Sequence, residues 1–147
     1  MTNTIALPEA IFKRLEKLSA SSKRSPASIV KQAVQDRLDY EEWALKQIDA
    51  AKEVGAFWVE LHTGTYADAD NPADAARLFM ELVSAAQHAR SLGLRVKCGH
   101  GLNYRNVKRF QGYAEFEEFS IGHSIIARAV LVGLERAVRE MVELVTW

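Results

Sequence analysis

The chain has 147 residues, of which 48% are hydrophobic, and its 19 Lys and Arg balance its 19 Asp and Glu. This is the composition of a globular protein with one domain, or with one small domain and an appendage. No apolar run approaches the ~18–20 residues that a membrane span needs, and the first residues do not resemble a secretory signal. We therefore expect a cytoplasmic protein with no membrane partner. The single cysteine, Cys98, excludes an intramolecular disulfide and a multi-cysteine metal site, and we predict neither a metal nor a required cofactor.

Charge is distributed unevenly along the chain. Residues 1–38 contain seven basic and three acidic side chains, a balance of +4, and the remainder carries −4. The chain therefore has a basic N-terminal segment, here called the head, and an acidic remainder, here called the body.

The first 40 residues predict one strand and two helices. Residues 2–7 alternate polar and apolar side chains, as a half-exposed strand does, and Pro8 ends the alternation. One amphipathic helix follows, and a second begins with Ser25 as its N-cap and Pro26 in its first turn. So short a segment cannot bury both apolar faces alone. We therefore expect the chain to pair with itself, as a homodimer or a higher even oligomer.

The sequence LPEAIFKRLEKL followed by SKRSPASIVKQAVQDRL resembles the ribbon-helix-helix family over about residues 2–40. The resemblance implies that two chains pair their first strands, interlock four helices and insert the ribbon into the DNA major groove. Because the ribbon points no Lys, Arg, Asn or Gln outward, it has little with which to distinguish bases. A DNA-binding head and a head used only for dimerisation both stay open. The DNA-facing candidates that the resemblance implies are Thr2, Thr4 and Ala6 on the ribbon, and Lys23, Arg24 and Ser25 at the second helix.

The join between head and body is predicted to be helical. Residues 39–54 contain no Pro, Gly or Ser, and Gly55 is the predicted stop. The second helix therefore either runs on to residue 54 or breaks between residues 38 and 42. We predict two domains, residues 1–40 and 41–147.

After Gly55, short apolar strands alternate with helices. Strands are predicted at residues 57–61, 94–98 and 118–121, and helices at residues 73–91, 105–111 and 124–145. This alternation predicts an α/β fold with a parallel sheet, whose chemistry gathers at the carboxyl ends of the strands. A glutamate buried in the first strand would need a partner. The polar and glycine residues at the three strand ends are Glu60, His62 and Thr63, then Gly99, His100 and Gly101, then Gly122 and His123.

Three segments of the body resemble, in order, the C-terminal part of the pyridoxine 5′-phosphate synthase family. They are QIDAAKEVGAFWVELHTGTYADA, SLGLRVKCGHGLNYRNVK and EEFSIGHSIIARAVLVGLERAVREM, and the resemblance covers about residues 47–145. It implies a partial (β/α)₈ barrel of three βα units, strands six to eight. The family condenses a deoxyxylulose phosphate with an amino-oxopropyl phosphate.

The resemblance also implies roles for individual residues. His100 corresponds to the proton-donating histidine, and Glu60 corresponds to a carboxylate that assists the transition state. Gly101, Gly122 and His123 correspond to contacts with the ligand phosphate, so phosphate or pyridoxine 5′-phosphate is the candidate ligand. A helix beginning near residue 124 would present free N–H groups to that anion.

The family's second histidine, its general-base glutamate and its substrate-binding arginine belong to early strands with no counterpart in these motifs. Because catalysis needs the whole set held in place, we expect this chain alone not to make pyridoxine phosphate. Cys98 is expected to be an inert packing residue. Three functions stay open: a DNA-binding regulator with a residual phosphate site, a purely structural fusion that binds neither DNA nor ligand, and a split synthase that needs a separate N-terminal half.

Overall fold

A computed structural model of the chain describes residues 5–147, apart from the side chains of Tyr40 and Glu41. It divides into two compact units, Met1–Trp43 and Ala44–Trp147. In the described residues, no helix combines the length and the apolar character that crossing a membrane requires. The elements are α1 (Glu9–Ser22), α2 (Pro26–Glu53), β1 (Trp58–His62), α3 (Gly64–Ala67), α4 (Pro72–Ser91), β2 (Arg95–Gly99), a 3₁₀ helix (Asn106–Phe110), β3 (Glu118–Ser120), α5 (His123–Val132) and α6 (Leu134–Val145).

The two predicted helices of the first unit are present. The Pro8 carbonyl accepts hydrogen bonds from the amides of Ile11 and Phe12, both at 3.0 Å, and so starts α1. The Ser28 amide donates to the Ser25 hydroxyl oxygen at 3.2 Å, which confirms the predicted N-cap of α2. Both helix starts therefore follow from local sequence.

The predicted strand at residues 2–7 is not found where the structure describes that segment. Thr2 and Thr4 lie outside the described residues, and residues 5–8, including Ala6, are neither helix nor strand. Alternation of polar and apolar side chains does not make a strand without a neighbouring strand to accept its hydrogen bonds. The ribbon is therefore not observed among residues 5–8, the part of the segment that the structure describes.

α2 continues without a break through residues 38–42. Amide–carboxylate hydrogen bonds one turn apart support it, from Gln32 to Asp36 at 2.6 Å and from Gln35 to Asp39 at 2.8 Å. Residues 27–54 contain no Pro or Gly, so nothing in the local sequence ends the helix earlier. The division between the two units thus falls inside a helix, after Trp43, and the predicted boundary at 40/41 falls inside the same helix.

The second unit contains the predicted parallel sheet. Its strand order is β1-β2-β3, with Val59 opposite Val96 in the first pair and Cys98 opposite Phe119 in the second. The strands differ from the predicted bounds by one residue at their ends. The predicted last helical stretch is two helices, divided at Gly133, which has φ 84°. The alternation of strands and helices was therefore read correctly from sequence.

The core of this unit lies between the sheet and α4. Asn71 caps α4 by accepting from the amides of Ala73 and Asp74 at 3.1 and 3.0 Å. The helix then buries one face against β1 and β2. Phe79 and Phe110 meet edge to face, with their ring centroids 5.0 Å apart. The fully buried large side chains of the described residues are Phe79, Phe110, Leu94, Val96, Val107, Thr63 and Cys98.

The two faces of the sheet differ in polarity. Val96 and Cys98 point into the core and are fully buried. Alternate residues point the other way because side chains along a strand alternate between faces. On that second face Glu60 and Ser120 are exposed and Lys97 is partly buried. The sheet therefore has one dry face against helices and one open polar face, and the open face carries the candidate site.

Candidate functional site

Glu60 lies on the open face of the sheet and is exposed. Its side chain is 43% exposed, and its Oε2 lies 3.3 Å from Lys97 Nζ. The Ser120 hydroxyl donates to the same oxygen at 3.3 Å. The ion pair and the hydrogen bond thus connect three residues, one from each strand: Glu60, Lys97 and Ser120. The predicted need for a partner is met by a cation and a hydroxyl.

Gly99 makes room for this carboxylate. A Cβ at residue 99 would lie 2.5 Å from Glu60 Oε1 and 3.1 Å from Ser120 Cβ. Any larger residue would displace the Glu60 side chain from its present position. The glycine is therefore part of the site's geometry and not merely of a turn.

His100 follows β2 and its imidazole stacks on that of His62, which ends β1. The ring centroids are 4.4 Å apart and the ring planes meet at 26°. The Gly64 amide donates to His62 Nδ1 at 3.4 Å. A Cβ at residue 64 would lie 2.6 Å from His62 and 2.9 Å from His100, so only glycine fits against both rings. The carboxyl ends of β1 and β2 thus carry a histidine pair.

A buried polar residue, Thr63, holds the backbone of the loop after β2. Its amide donates to the Gly99 carbonyl oxygen at 2.8 Å. Its hydroxyl lies 2.6 Å from the His100 carbonyl oxygen and 2.8 Å from that of Gly99. Next in the loop, Gly101 has φ 74°, and a Cβ there would lie 2.5 Å from Ala67 Cβ in α3. The backbone around His100 is therefore tightly constrained.

α5 begins directly after β3, with Gly122 before it and His123 as its first residue. The predicted start near residue 124 is thus confirmed to within a residue. The first-turn amides of a helix have no acceptor within the helix. Gly122 and His123 are both exposed, and the Ser124 hydroxyl donates to the Leu102 carbonyl oxygen at 2.9 Å. This bond ties the start of α5 to the loop that carries His100.

Cys98 is fully buried on the opposite face of the sheet. Burial raises the pKa of its thiol to about 12, with a further contribution from the Glu60 carboxylate. A thiol with so high a pKa is protonated and unreactive at neutral pH. The structure therefore agrees with a packing role. Where the chain is described, it contains no cluster of three or more His, Cys, Asp or Glu side chains able to hold a metal ion.

Three of the residues proposed to face DNA, Lys23, Arg24 and Ser25, are exposed and lie next to one another. Lys23 is the residue that ends α1 with φ 54°, and Ser25 is occupied as the N-cap of α2. Arg24 Nη2 lies 3.5 Å from both the carbonyl oxygen and the hydroxyl of Ser28. These three residues form the turn between the two helices, and each has a local structural role. The ribbon residues with which they would act are either undescribed or not in a strand.

Sequence reasoning found the strand ends but missed several partners. Lys97 and Ser120 were not predicted as site residues, although their alternation along β2 and β3 places them on the face of Glu60. His62 and Thr63 were noted after β1 without a role. Their relation to His100 depends on the register of β1 against β2, which local sequence does not specify.

Comparison with known proteins resolves the relationship of this site. Residues 32–146 match the family described as pyridoxal phosphate biosynthesis protein PdxJ. The chain belongs to the PdxJ family. The resemblance of the body is therefore confirmed, and the parallel three-stranded sheet is that of a partial, barrel-like PdxJ segment.

Several curated relatives of this PdxJ chain are named pyridoxine 5′-phosphate synthase. The protein from Pelodictyon phaeoclathratiforme is 54% identical over 100 residues, which cover 68% of this chain and 42% of that protein. The protein from Synechococcus sp. (strain JA-2-3B'a(2-13)) is 58% identical over 95 residues, 65% of this chain and 40% of that protein. The protein from Geobacter sp. (strain M21) is 48% identical over 101 residues, 69% and 42%. The chain thus spans about two fifths of the length of these relatives.

The PdxJ match begins inside α2, within the segment that resembles a ribbon-helix-helix head. Residues 32–40 of that segment thus belong to the PdxJ match. The relatives support the synthase resemblance and give no support to the ribbon-helix-helix resemblance or to DNA binding. A helix with basic residues is a weak signal, because exposed helices in many folds carry them. The DNA-binding interpretation is not retained.

Proposed function

We propose that this chain is the C-terminal part of a split pyridoxine 5′-phosphate synthase, which acts with a separate chain that supplies the other strands of the barrel. One observation carries the proposal. Glu60 lies in β1, His100 directly follows β2 and α5 begins after β3, so three adjacent parallel strands carry them, in a segment about half identical to named synthases. In barrels of this kind the chemistry lies at that end of the strands.

The open surfaces of the second unit support the need for a complementary chain. Where the chain is described, β1 and β3 each have a strand neighbour on one side only. Open strand edges offer unpaired N–H and C=O groups to another strand. Large apolar side chains are also exposed beside them, with Phe57 81% and Val130 82% exposed. Further strands and helices of a barrel would cover both kinds of surface.

Within such a synthase, Glu60 and His100 would act on the substrate from neighbouring strands. The Glu60 side chain pairs with Lys97, and a carboxyl group held in this way suits a role in stabilising positive charge or orienting a proton in the transition state. His100 is exposed at a strand end, where an imidazole can donate a proton to the substrate. We assign these roles by the family relationship together with this exposure.

The phosphate of the ligand would bind at the start of α5. A Cβ at residue 122 would have no neighbouring atom within 4 Å, so an anion has room to approach the backbone of Gly122. Free amides of the first turn and the positive end of the helix dipole favour an anion. His123 and Gly101 would complete this contact. The loop carrying Gly101 is tied to α5 through Ser124.

Reconstitution tests the split synthase. The chain is mixed with the N-terminal part of the Pelodictyon phaeoclathratiforme synthase that lies outside the match, and pyridoxine 5′-phosphate formation is measured. We expect activity from the mixture and none from either chain alone. H100N and E60Q should each lower kcat by about 10²–10⁴-fold, as loss of a proton-transferring or charge-stabilising group does.

H88N serves as the matched control, because His88 lies in α4 and pairs with Asp49 at 2.7 Å, away from the strand ends. It should keep the activity of the mixture. An inactive mixture in which the two chains demonstrably bind each other would refute the assignment of a catalytic role.

Calorimetric titration with inorganic phosphate and with pyridoxine 5′-phosphate tests the anion site separately. We expect binding that H123A weakens and that S84A, on the exposed face of α4, leaves unchanged. Absence of any heat at millimolar ligand, in the reconstituted mixture as well as in the chain alone, would rule out the site.

We also propose that the first unit pairs with a second copy of itself. An apolar groove of about 410 Å³ lies between α1 and α2, and Ile29 is the one buried residue among this unit's described residues. Residues 1–31 lie outside the PdxJ match, so the family relationship supplies no other partner for α1. Light scattering should give an even oligomer, and the V34E change in the groove should dissociate it. A monomer at all concentrations would refute the pairing. The groove is lined by Leu7, Ile11, Leu15, Val30, Ala33, Val34, Arg37 and Leu38.

A further inference from the structure

The backbone of His100 is in a conformation that side chains rarely adopt. Its φ is 81°, and among the described residues the other non-glycine residue with positive φ is Lys23. Lys23 follows the last turn of α1, where a left-handed residue is common. His100 instead follows a strand, so helix termination does not explain its conformation. Such outliers persist when the surrounding structure holds them in place, and they concentrate at functional sites.

Thr63 supplies the restraint on the backbone. It is fully buried, and its hydroxyl lies 2.6 Å from the carbonyl oxygen of His100 itself. Its amide holds the carbonyl of Gly99, the residue before His100, at 2.8 Å. Both peptide groups that flank the His100 Cα are therefore fixed by one residue from the neighbouring strand end. A buried hydroxyl that lost these acceptors would pay for its desolvation, which makes the arrangement stable.

His62 supplies the restraint on the side chain. Its ring stacks on the His100 ring at 4.4 Å, and Gly64 closes against both rings. The Gly64 amide, at 3.4 Å from His62 Nδ1, limits rotation of the supporting ring. The His100 imidazole thus has one face covered by another ring. Its side chain nevertheless remains exposed to solvent.

We propose that His62 and Thr63 are positioning residues for His100, with Thr63 fixing its backbone and His62 fixing the plane of its imidazole. The proposal rests on the proposed synthase function for its catalytic meaning, but the positioning itself is a property of this chain alone. Because proton transfer depends on the direction of the donor, a ring held in one plane reacts faster than one free to rotate. The HTG segment after β1 would thus act on the substrate through His100.

The first test is NMR spectroscopy of the intact chain labelled in its four histidines. Stacking on His62 should shift the ring-proton signals of His100 upfield. H62A should remove that shift, and H62F, which keeps a stacked ring, should retain most of it. H88A, a histidine in α4, is the matched control and should leave the His100 signals unchanged.

The second test concerns the backbone. T63V keeps the shape of the side chain but removes the hydroxyl, and it should move the amide and imidazole signals of His100. T63S keeps the hydroxyl and should restore the wild-type signals, whereas T65V, at an exposed threonine of α3, should have no effect. In addition, H100G should raise the melting temperature of the chain, because glycine relieves the strained φ at residue 100.

Kinetics of the reconstituted synthase give the functional readout. H62A and T63V should each lower kcat by about 10–100-fold with KM little changed, because misplacing a reacting group costs rate and not ground-state binding. H62F and T63S should recover most of kcat. A purely structural role would instead lower activity and stability together, with no rescue by the matched variants.

The outcomes separate the two proposals. An inactive wild-type mixture would count against the split synthase, while the NMR signals of the chain alone would still decide the positioning. Unchanged His100 signals in both H62A and T63V would overturn the positioning of His100. So would an H62F variant as slow as H62A and a T63S variant as slow as T63V.

Discussion

The two units of the chain use their apolar side chains in opposite ways. In the second unit, Phe79, Phe110 and Val96 are wholly buried between sheet and helix. In the first, Ile29 is the one buried residue among those described, and Phe12 and Val34 remain about half exposed. Both units have regular helices, so helix formation does not distinguish them. The difference shows that a hydrophobic core depends on contacts between segments that are distant in sequence.

This difference follows from what each unit can pack against. Two helices can bury only the stripe along which they touch, whereas a helix on a parallel sheet covers several strands at once. Short isolated helices gain most of their stability from such packing and little from propensity. We therefore expect changes in the second unit to be costly and similar changes in the first unit to be mild, unless a second copy covers its groove.

The largest expected contrast concerns thiol access. With a pKa of about 12 against an ordinary 9.0, Cys98 should react with a disulfide reagent at pH 8 roughly a thousandfold more slowly than a free thiol. A20C in a C98A background places a thiol on the exposed surface of α1, outside the groove, as the control and should react at nearly the free rate. The rates are followed by absorbance of the released thiolate, in native buffer and in denaturant. Equal rates for the two thiols in native buffer would contradict a dry core around β2.

The Cys98 thiol also predicts how the stability of the folded chain changes with pH. Its pKa is raised by folding, so the neutral form is favoured in the folded chain. The stability that it contributes is complete below the unfolded pKa and is lost as pH rises toward 12. C98A should remove that part of the alkaline destabilisation, as measured by urea unfolding at a series of pH values.

The next contrast is one of packing energy. F110A removes a ring buried among Phe79, Phe116 and Phe119, and should lower the free energy of unfolding by about 3–5 kcal/mol. F12A, on the exposed side of α1, should cost less than about 1 kcal/mol. Urea titration followed by tryptophan fluorescence and circular dichroism measures both. Similar costs for the two changes would show that the side of α1 that carries Phe12 is covered in solution.

Two glycines distinguish the cost of backbone strain from the cost of a steric clash between a new Cβ and its neighbours. Gly101 and Gly112 both have positive φ, at 74° and 85°, but only Gly101 has a neighbour that a Cβ would strike, Ala67 Cβ at 2.5 Å. G112A should therefore cost about 1–2 kcal/mol from strain alone, and G101A about 2–4 kcal/mol. Thermal and urea unfolding give the two values. If G101A cost no more than G112A, the loop of His100 would not be packed against α3 in solution.

The smallest expected effect lies in the first unit. S25A removes the hydroxyl that accepts from the Ser28 amide at 3.2 Å, and should destabilise the start of α2 by about 1 kcal/mol. Hydrogen exchange of the Ser28 amide reports this directly and should become faster. S21A, near the end of α1, is the control and should leave that amide unchanged. An unaltered exchange rate in S25A would mean that the turn between the helices is held by other contacts.

The sequence by itself determined the local features of this protein. The caps at Ser25 and Asn71 and the helices follow from neighbouring residues, because their hydrogen bonds lie within a few positions. The alternation of apolar segments with helices likewise indicated where the three strands of the second unit lie. The motifs VELHTG, CGHGLN and SIGHS likewise identified the family and the strand ends, since their chemistry is local. Residues 5–7, the described part of the predicted strand at residues 2–7, show the limit of this reasoning, because a strand needs a partner that no local pattern supplies.

Only the tertiary structure decided how the site is assembled. The register that sets His62 opposite Gly99 brings the HTG segment beneath His100, and the register that sets Gly99 opposite Ser120 opens the space for the Glu60 carboxylate. The same pairing gave Glu60 a cation, Lys97, on the open face of the sheet. These relations join residues 20 to 60 positions apart, and their geometry comes from strand pairing and packing, which the order of residues does not express on its own.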